Sequence, residues 1–425
     1  MRILLIGSGG REHALAHAIK RSSHTSKLFV APGNAGISTL AECISLNSNQ
    51  AILQFCQQEK IDFVIVGPEA PLVEGLSDIL RAANIKVFGP SKTAAQLEGS
   101  KAFMKNLCAK YNIPSAKFSA FSEAHKAIKF AHSLALPVVI KADGLAAGKG
   151  VVIAENYAEA EKTIHEMLSG DSFGDAGKTI VIEEFLLGEE ISVFALCDGK
   201  NAIYFGSAQD HKRVGDGDTG PNTGGMGTYA PAPILSDLLR DQIMKELVEP
   251  TVSALIQEGI DYRGVLFAGI MVTKEGPKLL EYNIRFGDPE TQVLMARLES
   301  DLVEHMLATE NGNLIEQNIR MRPDAAVCVV MASKGYPGNF KKNTIIKNLD
   351  QAEKIQNVTI YHAATKRENN GDITAQGGRV LGITAIGKTV IEARNSAYQA
   401  VDTIGWPEGF CRRDIAWRAI PQKSE

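Results

Sequence analysis

The chain has 425 residues, more than one hydrophobic core usually serves, so the length predicts two to four domains. Hydrophobic residues make up 44% and charged residues 22%, and the formal net charge of -4 excludes general attraction to nucleic acid or acidic membranes. The longest apolar runs are too short for a membrane span, MRILLIG is not a signal sequence, and six scattered cysteines lack CxxC spacing. We expect a cytoplasmic protein with reduced thiols and no nucleic-acid or membrane partner.

Residues 1–100 alternate between short apolar strands and amphipathic helices. The strands are RILLI, KLFVA, DFVIV and KVFG, and the helices between them are REHALAHAIKRS, QAILQFCQQEK and VEGLSDILRAAN. This alternation predicts an α/β domain with a doubly wound parallel sheet. Glycine- or proline-rich turns follow the strands, and ligands bind at the carboxyl ends of strands in such sheets. The turns therefore predict a binding edge, although βα loops often contain glycine for structural reasons alone.

The pattern changes twice after residue 100. Residues 101–325 predict an α+β domain, which includes the helix LSDLLRDQIMKELVEPTVSALIQEG, the β pair VLFAGIMVT and PKLLEYNIRF, and the helix TQVLMARLESDLVEHMLATE. Residues 326–425 predict a C-terminal α+β domain with strands AVCVVMA, VTIYHAA and GRVLGITAIG and the helix TVIEARNSAYQAVDTI. The sequence therefore predicts a multidomain protein of α/β and α+β parts.

The loop GSGGREH follows the first strand and opens a helix. Gly7 and Gly9 fit a dinucleotide fingerprint, but Glu12 occupies the position of its third glycine, and no acidic residue ends a strand about twenty residues later. Binding of a nicotinamide dinucleotide is therefore disfavoured. The backbone N–H groups at the start of the helix still favour an anion such as a phosphate.

The segment DGLAAGKG, residues 143–150, is similar to a P-loop but has the wrong spacing. Three residues separate Gly144 from Gly148, and a strand follows where a P-loop has a helix. A strand–loop–strand hairpin is another way to place backbone amides over a phosphate. Lys141, at the end of PVVIK, either extends its charge to solvent along an apolar stem or meets an anion.

Two segments concentrate polar side chains after apolar strands. VIEEFLLGEEIS, residues 181–192, is either a solvated turn or the adenine and ribose side of a nucleotide site. In EYNIRFGDPETQ, residues 281–292, Glu281 and Asn283 are two positions apart on a predicted strand and therefore share one side, as does Arg285. Carboxylate and amide oxygens suit Mg²⁺, so this segment predicts a metal site, the alternative being three unrelated polar side chains on an exposed strand.

The stretch HKRVGDGDTGPNTGGMG, residues 211–227, contains six glycines and is expected to form neither a helix nor a packed strand. Together with RFGDPETQ, KADGLAAGKG, LEGSKAFMK, GPEAPL and GGREHA, it makes the chain resemble the phosphoribosylamine–glycine ligase family of the ATP-grasp superfamily. The resemblance covers essentially the whole chain. It implies an N-terminal domain, two ATP-grasp subdomains that clamp ATP, with a mobile subdomain at about 122–192, and a C-terminal domain.

The resemblance implies a reaction and a set of residues for it. Glycine is joined to 5-phosphoribosylamine through glycyl phosphate, with ATP as substrate and Mg²⁺ or Mn²⁺ as cofactor, in purine biosynthesis. Glu281 and Asn283 match the metal ligands, and Arg285, Asp210 and Lys212 match catalytic positions. The expected ATP-binding residues are Lys101, Lys141, Gly148, Lys149, Gly150, Glu183, Glu184, Phe185, Leu186 and Glu190. The expected substrate-binding residues are Gly9, Gly10, Arg11, Asn34, Glu69, His211, Arg213 and Asp288.

Several alternatives stay open at this point. Glu189 is a near alternative to Glu190 for the ribose hydroxyls, and the strand VLFAGIMV lacks the further metal-binding carboxylate of many ATP-grasp enzymes. Another ATP-grasp purine ligase or carboxylase is the competing activity. A nicotinamide oxidoreductase and a non-catalytic nucleotide-binding module are the other classes, and a monomer is the expected oligomeric state.

Overall fold

The structure is a computed structural model that describes residues 1–145, 150–169 and 177–420. Its N-terminal strands are β1 (Arg2–Gly7), β2 (Lys27–Pro32), β3 (Glu42–Cys43), β4 (Phe63–Val66) and β5 (Lys86–Phe88). They form a parallel sheet in the order β3-β2-β1-β4-β5, which confirms the doubly wound sheet. The helices are α1 (Gly10–Arg21), α2 (Asn49–Gln58), α3 (Glu69–Glu74) and α4 (Leu76–Ala82).

The prediction of one helix for VEGLSDILRAAN is wrong, because the chain breaks between α3 and α4 at Gly75. This residue has φ of 96°, a left-handed conformation that glycine adopts without steric cost. Glu69 is the first residue of α3 and lies three positions after Val66, the last residue of β4. The predicted binding edge is therefore lined by the start of two helices, α1 and α3.

A second, antiparallel sheet follows two linking helices. Its order is β6-β9-β7-β8, and it carries α7 and α8 against an apolar core of its own. The elements of this region are α5 (Gln96–Gly99), α6 (Lys101–Lys110), β6 (Phe118–Phe121), α7 (Ala124–Ala131), β7 (Val138–Ala142), β8 (Val151–Ala154), α8 (Tyr157–Leu168) and β9 (Ile180–Glu184). The predicted hairpin around the glycine-rich segment is confirmed, since β7 and β8 pair in antiparallel register.

The largest sheet has nine strands and extends from the middle of the chain into its C-terminal part. Its strands are β10 (Glu189–Asp198), β11 (Ala202–Asp210), β14 (Gly227–Ala230), β15 (Arg263–Thr273), β16 (Gly276–Asn283), β17 (Ala325–Ser333), β19 (Val358–His362), β22 (Arg379–Gly387) and β23 (Gly409–Phe410). The order is β16-β15-β10-β11-β14-β17-β22-β19, and β23 pairs with β17. The strand β14 lies between β11 and β17 and so joins the two parts of the sheet.

The remaining elements surround this sheet. The helices are α9 (Asp237–Ile243), a π turn (Met244–Val248), α10 (Glu249–Gln257), α11 (Glu290–Arg297), α12 (Leu302–Asn311), α13 (Leu349–Ala352) and α14 (Val390–Thr403). The small strands are β12 (Arg213–Gly215), β13 (Thr219–Asn222), β18 (Thr344–Ile346), β20 (Thr365–Arg367) and β21 (Ile373–Ala375). No helix in the three described segments is long and apolar enough to cross a membrane.

Two further sequence predictions need correction. The helix expected over TQVLMARLESDLVEHMLATE is two helices, α11 and α12, because Asp301 accepts hydrogen bonds from the backbone of Val303 and Glu304 and so caps a new helix. The glycine-rich stretch after His211 was expected to form neither a helix nor a packed strand, and its strands β12 and β13 are indeed short and not buried, but no ribbon was foreseen. It contains the two-stranded ribbon of β12 and β13, turned by a short 3₁₀ segment in which Gly217 has φ of 66°.

Candidate active site

A cluster of three lysines and one glutamate lies where the two antiparallel sheets meet. Lys101 begins α6, Lys141 is on β7, Lys212 follows β11, and Glu281 is on β16. Desolvation in the cleft opposes ionisation of Glu281, but the charges of Lys212, Lys141 and Lys101 outweigh it and hold the pKa of Glu281 below its usual range. Three ammonium groups therefore converge on one carboxylate in the cleft, and this convergence of cations suits a polyphosphate.

The start of α6 is tied to the glycine-rich segment. Lys101 Nζ donates to the carbonyl oxygen of Gly144 at 2.9 Å, and Asp143 accepts hydrogen bonds from Ala102 N and Ser100 Oγ. Gly150 accepts from Ala142 N at 2.8 Å where the hairpin closes. The predicted ATP contacts Gly148 and Lys149 lie outside the described residues.

Lys141 is paired with a buried carboxylate. Its Nζ lies 2.9 Å from Glu183 Oε1, and Lys105 Nζ lies 2.8 Å from Glu183 Oε2. Burial raises the pKa of Glu183, but the two ammonium groups outweigh it and the net shift is downward. The Glu183 side chain thus holds Lys141 in place within the sheet. The chain continues from Glu183 into the segment predicted to contact adenine.

The rest of that predicted segment lies at the end of β9. Glu184 is half-buried, its carboxylate accepts a hydrogen bond from Lys117 N at 2.9 Å, and its own N–H donates to the Lys117 carbonyl at 2.9 Å. Phe185 is half-buried and Leu186 is buried, so the turn offers apolar surface as well as peptide groups. These are the features expected of a turn that contacts a flat heterocycle.

Lys212 forms ion pairs with two carboxylates. It contacts Glu190 on β10 directly and lies 3.8 Å from Glu281 Oε1. Desolvation lowers the pKa of Lys212, but Glu190 and Glu281 overcome this and raise it above the usual value. Lys212 therefore stays protonated and lies between Glu190, the predicted ribose contact, and Glu281, the predicted metal ligand.

Glu281 and Asn283 are on one side of β16, as predicted, because the intervening Tyr282 is buried on the other. A bulge opposite Gly269 and Ile270 interrupts the pairing of β16 beside Glu281. In the described part of the chain, neither the Glu281 carboxylate nor the Asn283 amide forms a hydrogen bond with a protein group, and both are half-exposed. Two open oxygen ligands beside a lysine-rich cleft fit Mg²⁺ or Mn²⁺, which take further ligands from phosphates and water.

Arg285 follows β16 and is held by two carboxylates. Its Nε lies 3.1 Å from Glu69 Oε2 and its second terminal nitrogen lies 2.9 Å from Glu98 Oε1. Desolvation would lower the pKa of Arg285, but Glu98 and Glu69 outweigh it and raise the pKa. Glu69 belongs to the N-terminal domain, so this arginine connects that domain to the cleft.

Asp210 and Glu290 form a pair of interacting carboxyl groups near Lys212. Desolvation raises the pKa of both carboxyls, and the charge of Glu290 raises that of Asp210 further. Asp210 Oδ1 accepts from His211 N at 2.7 Å, and Glu290 Oε1 accepts from Ser192 Oγ at 3.1 Å. The pair is therefore suited to hold a proton or to meet a cationic amine.

His211 and Arg213, predicted as substrate contacts, are engaged with the C-terminal part of the chain and with the ribbon. The His211 ring is fully buried and its Nε2 accepts from Ala416 N at 3.0 Å, while burial lowers its pKa to about 3. Arg213 donates to the Gly220 carbonyl at 2.7 Å. Both side chains therefore support the glycine-rich stretch in this conformation.

The N-terminal loop has little free space. A Cβ atom on Gly10 would lie 2.7 Å from Gln292 Nε2, and one on Gly9 would lie 3.0 Å from Asp288 Oδ2. Glu12 accepts from Gly9 N at 2.7 Å, so the residue that disfavours a dinucleotide caps α1. The start of α1 therefore packs closely against Asp288 and Gln292.

The other predicted substrate residues surround this loop. Arg11 is buried, ion-paired to Glu12, and donates to the Phe286 carbonyl at 3.1 Å. Asn34 donates to the carbonyls of Ser8 and His362 and caps the turn that follows it. Burial raises the pKa of Asp288, but Arg379 and Arg11 outweigh it and the net shift is downward.

Four residues near the cleft were missed by sequence reasoning: Glu98, Lys105, Glu290 and Gln292. Glu98 and Lys105 lie in LEGSKAFMK, and Glu290 and Gln292 lie in GDPETQ, both of which were noted as motifs. The presence of charged and amide side chains in these motifs was the available sequence signal that the four residues lie near the site. Only the fold shows which of them contact the cleft.

The fold and cleft define an ATP-grasp protein: two antiparallel sheets enclose a lysine-rich cleft with carboxylate and amide oxygens on one wall. Residues 1–98, 99–291 and 326–418 match the N domain, the ATP-grasp (A) domain and the C domain of phosphoribosylglycinamide synthetase. The chain belongs to this family, the phosphoribosylamine–glycine ligases, and is therefore an ATP-grasp ligase.

Relatives and solved structures agree with this assignment. The chain is 53% identical over 425 residues to the phosphoribosylamine–glycine ligase of Mesorhizobium japonicum, covering 100% of this chain and 99% of that one. It is 48% identical to that of Escherichia coli strain K12, with 100% of both chains covered. The crystal structure of the Thermotoga maritima phosphoribosylamine–glycine ligase matches with a TM-score of 0.86 at 32% identity, covering 98% of this chain and 100% of that one.

Proposed function

We propose that this chain joins glycine to 5-phosphoribosylamine in purine biosynthesis, with conversion of ATP to ADP and phosphate. The observation that supports it most strongly is the arrangement of Lys101, Lys141 and Lys212 around Glu281 beside a glycine-rich hairpin. This arrangement can hold a triphosphate with its terminal phosphoryl group turned toward an acceptor. In the first step, the glycine carboxylate attacks the γ-phosphorus, giving glycyl phosphate and ADP.

The lysines and the hairpin would hold the phosphates, and the turn from Glu184 to Leu186 would contact the adenine. Glu190 would accept from the ribose hydroxyls and is positioned by its ion pair with Lys212. Because phosphoryl transfer depends on positioning and charge stabilisation, the cleft's cations would contribute by neutralising charge as it develops. The hairpin tip, with Gly148 and Lys149, is proposed to complete this part of the site.

Glu281 and Asn283 would hold Mg²⁺ or Mn²⁺. The ion would neutralise negative charge on the phosphates. Glu281 contributes a carboxylate whose pKa is held low by three lysines, so it remains ionised at neutral pH. No group of three His, Cys, Asp or Glu side chains within the described ranges could hold a metal, which fits a site completed by substrate oxygens.

In the second step, the amine of phosphoribosylamine attacks the acyl carbon of glycyl phosphate and phosphate leaves. Gly9, Gly10 and Arg11 at the start of α1 would receive the ribose phosphate, which favours a helix N-terminus. Arg285 would steady the acyl phosphate, with Glu69 and Glu98 fixing its guanidinium. The acidic pair of Asp210 and Glu290 would accept the proton that the attacking amine loses.

The test is release of ADP with each substrate omitted in turn. The proposal requires that release depend on both glycine and phosphoribosylamine, with glycinamide ribonucleotide as the product. ADP release that requires bicarbonate instead would favour the competing hypothesis of an ATP-grasp carboxylase.

We further propose a cytoplasmic monomer with domains 1–100, 101–325 and 326–425 and a subdomain at about 122–192 that closes over ATP. The separate apolar core of the four-stranded sheet supports a body that moves as a unit. Light scattering with and without ATP would test the oligomeric state. Hydrogen exchange at the hairpin between β7 and β8 would test the closure.

A further inference from the structure

A partly enclosed cavity of about 160 Å³ lies between the second half of α1, helix α11 and the C-terminal strands β19 and β22. Its polar lining consists of Arg21, Arg322, His17, Tyr361, Asn357 and neighbouring threonines. The volume is several times the roughly 30 Å³ that a water molecule occupies in the liquid. The cavity therefore has room for a phosphoryl group and part of the molecule that bears it.

The lining has positive charge without compensation. It contains two arginines and no aspartate or glutamate. In the described part of the chain, neither guanidinium forms a salt bridge, and Nε of Arg322 is buried without a hydrogen-bond partner. Arg21 is exposed and Arg322 is half-buried, so water solvates the first guanidinium while Nε of the second is left without an acceptor. An anion between the two would offset the cost of burying that donor.

The neutral groups around the arginines are also suited to an anion. Tyr361 is only 4% exposed, and its hydroxyl group forms no hydrogen bond with the described residues. Burial and then Arg21 lower the pKa of His17, so its ring is neutral and can donate one hydrogen bond. Asn357, the residue before β19, adds an amide group.

We propose that this cavity binds a small phosphorylated ligand, with Arg21 and Arg322 contacting the phosphoryl oxygens and Tyr361 donating a further hydrogen bond. Planar guanidinium groups match phosphate oxygens in geometry as well as charge. The ligand would connect α1, which carries Arg21, to the segment before β17, which carries Arg322, and to β19, which carries Tyr361.

This cavity is separate from the proposed phosphate contact at the other end of α1. Gly10 begins the helix and Arg21 ends it, and eleven residues at about 1.5 Å each place them roughly 16 Å apart. None of the residues assigned to ATP, metal or substrate lines the cavity. The site therefore adds a second phosphate-binding position to the ligase.

The experiment uses the full chain and two variants. Arg21→Met with Arg322→Met removes both cations from the cavity, and Lys20→Met removes a cation from the same helix without altering the lining. Crystals of each protein are soaked in tungstate, a heavy-atom substitute for phosphate. Inorganic phosphate and ribose 5-phosphate are titrated calorimetrically at constant ionic strength, with the ATP site saturated by ADP.

We expect tungsten density between Arg21 and Arg322 in the wild type and in Lys20→Met, and none there in the double variant. Affinity for inorganic phosphate at this site should fall at least tenfold in the double variant, while ADP binding is unchanged. Among binding events that the double variant loses, tighter binding of ribose 5-phosphate than of phosphate would assign the site to a sugar phosphate, and the reverse order to the free anion. Binding that the double variant retains belongs to the proposed substrate site at the start of α1. Absence of the density in the wild type, or its persistence in the double variant, would overturn the proposal whether or not the ligase reaction is observed.

Discussion

Lys141 Nζ lies 2.9 Å from Oε1 of Glu183, and both side chains are almost fully buried. The other carboxylate oxygen is 2.8 Å from Lys105 Nζ, so one negative charge serves two positive ones. The cluster of Lys105 on α6, Lys141 on β7 and Glu183 on β9 therefore carries a net positive charge. Its neutralisation by a phosphate would be favourable in this poorly solvated region.

Replacing Glu183 with Gln should destabilise the four-stranded sheet, because two buried ammonium groups would then face each other without a carboxylate. Loss of one partner from a buried ionic group costs on the order of 3 kcal/mol. Hydrogen exchange at the amides of β7 and β9 would measure the free energy of opening. Glu184→Gln, a half-exposed neighbour, is the control and should cost no more than about 1 kcal/mol. Equal effects of the two changes would contradict this account.

Replacing Glu281 with Gln should lower kcat at least ~100-fold, as other deletions of electrostatic stabilisation do, while leaving the fold intact. The amide cannot balance the surrounding lysines or bind a divalent ion as strongly. Steady-state assays over a range of metal concentrations would measure the loss, and circular dichroism would check folding. Glu275→Gln, in the exposed turn of the same hairpin, should retain normal rates. Full activity of Glu281→Gln at saturating metal would remove Glu281 from the proposed metal site.

Replacing Lys141 with Met should weaken ATP binding more than glycine binding, since methionine keeps much of the apolar stem but removes the charge. Glu183 would still be paired with Lys105, so the sheet should remain folded. Calorimetric titration with a non-hydrolysable ATP analogue would measure the affinity. An unchanged dissociation constant would mean that Lys141 serves only to pair with Glu183.

Replacing Gly10 with Ala should raise KM for phosphoribosylamine much more than KM for ATP. The new Cβ would stand where an anion approaches the backbone, and it would lie 2.7 Å from Gln292 Nε2. Crowding against Gln292 alone could mimic this effect, so the change is also made together with Gln292→Ala. If the double variant regains the KM of Gln292→Ala alone, the loss came from internal crowding and the phosphate contact is not supported.

Stability should fall as pH drops from about 6.5 toward 4, because buried histidines remain neutral in the folded chain. Burial and then Arg367 lower the pKa of His362 to about 4, and burial lowers that of His13, whose Nδ1 accepts from His362 N at 2.7 Å. Between these values the unfolded chain binds protons that the folded chain does not. The free energy of unfolding therefore decreases with falling pH, by about 3 kcal/mol for His362 alone.

Denaturant unfolding at several pH values between 7 and 4 would measure this slope. His362→Gln should flatten it, whereas His125→Gln, at an exposed position, should leave it unchanged. A slope that is the same in all three proteins would show that other groups govern the acid response.

Local patterns were sufficient for most of the strands and helices. The apolar runs RILLI and DFVIV are β1 and β4, and the periodic segment YAEAEKTIHEML is α8. The helix break at Gly75 depends on the backbone angle of that glycine, and the break before α12 depends on the cap at Asp301. Neither residue interrupts the apolar periodicity, so the sequence pattern did not reveal the breaks. The β12–β13 ribbon was missed because its two short strands have hardly any apolar side chains.

The candidate site was predictable where the relevant residues are neighbours in sequence. The period of a strand placed Glu281 and Asn283 on one side, and the structure agrees. Partners distant in sequence could not be found in this way: Glu98 and Arg285 are separated by 187 positions and meet only through the fold. Sequence patterns likewise could not indicate that Lys105 shares Glu183 with Lys141.

The strand β14 has four residues, and it pairs along its whole length with β17 but at only two positions with β11. A protein truncated before residue 325 would lose β17, so the β14 edge would present unpaired peptide groups to other chains. Such a fragment should associate through that edge and precipitate. Expression of residues 1–324 by themselves is therefore a poor route to a smaller enzyme, because any shorter design has to keep β17 beside β14.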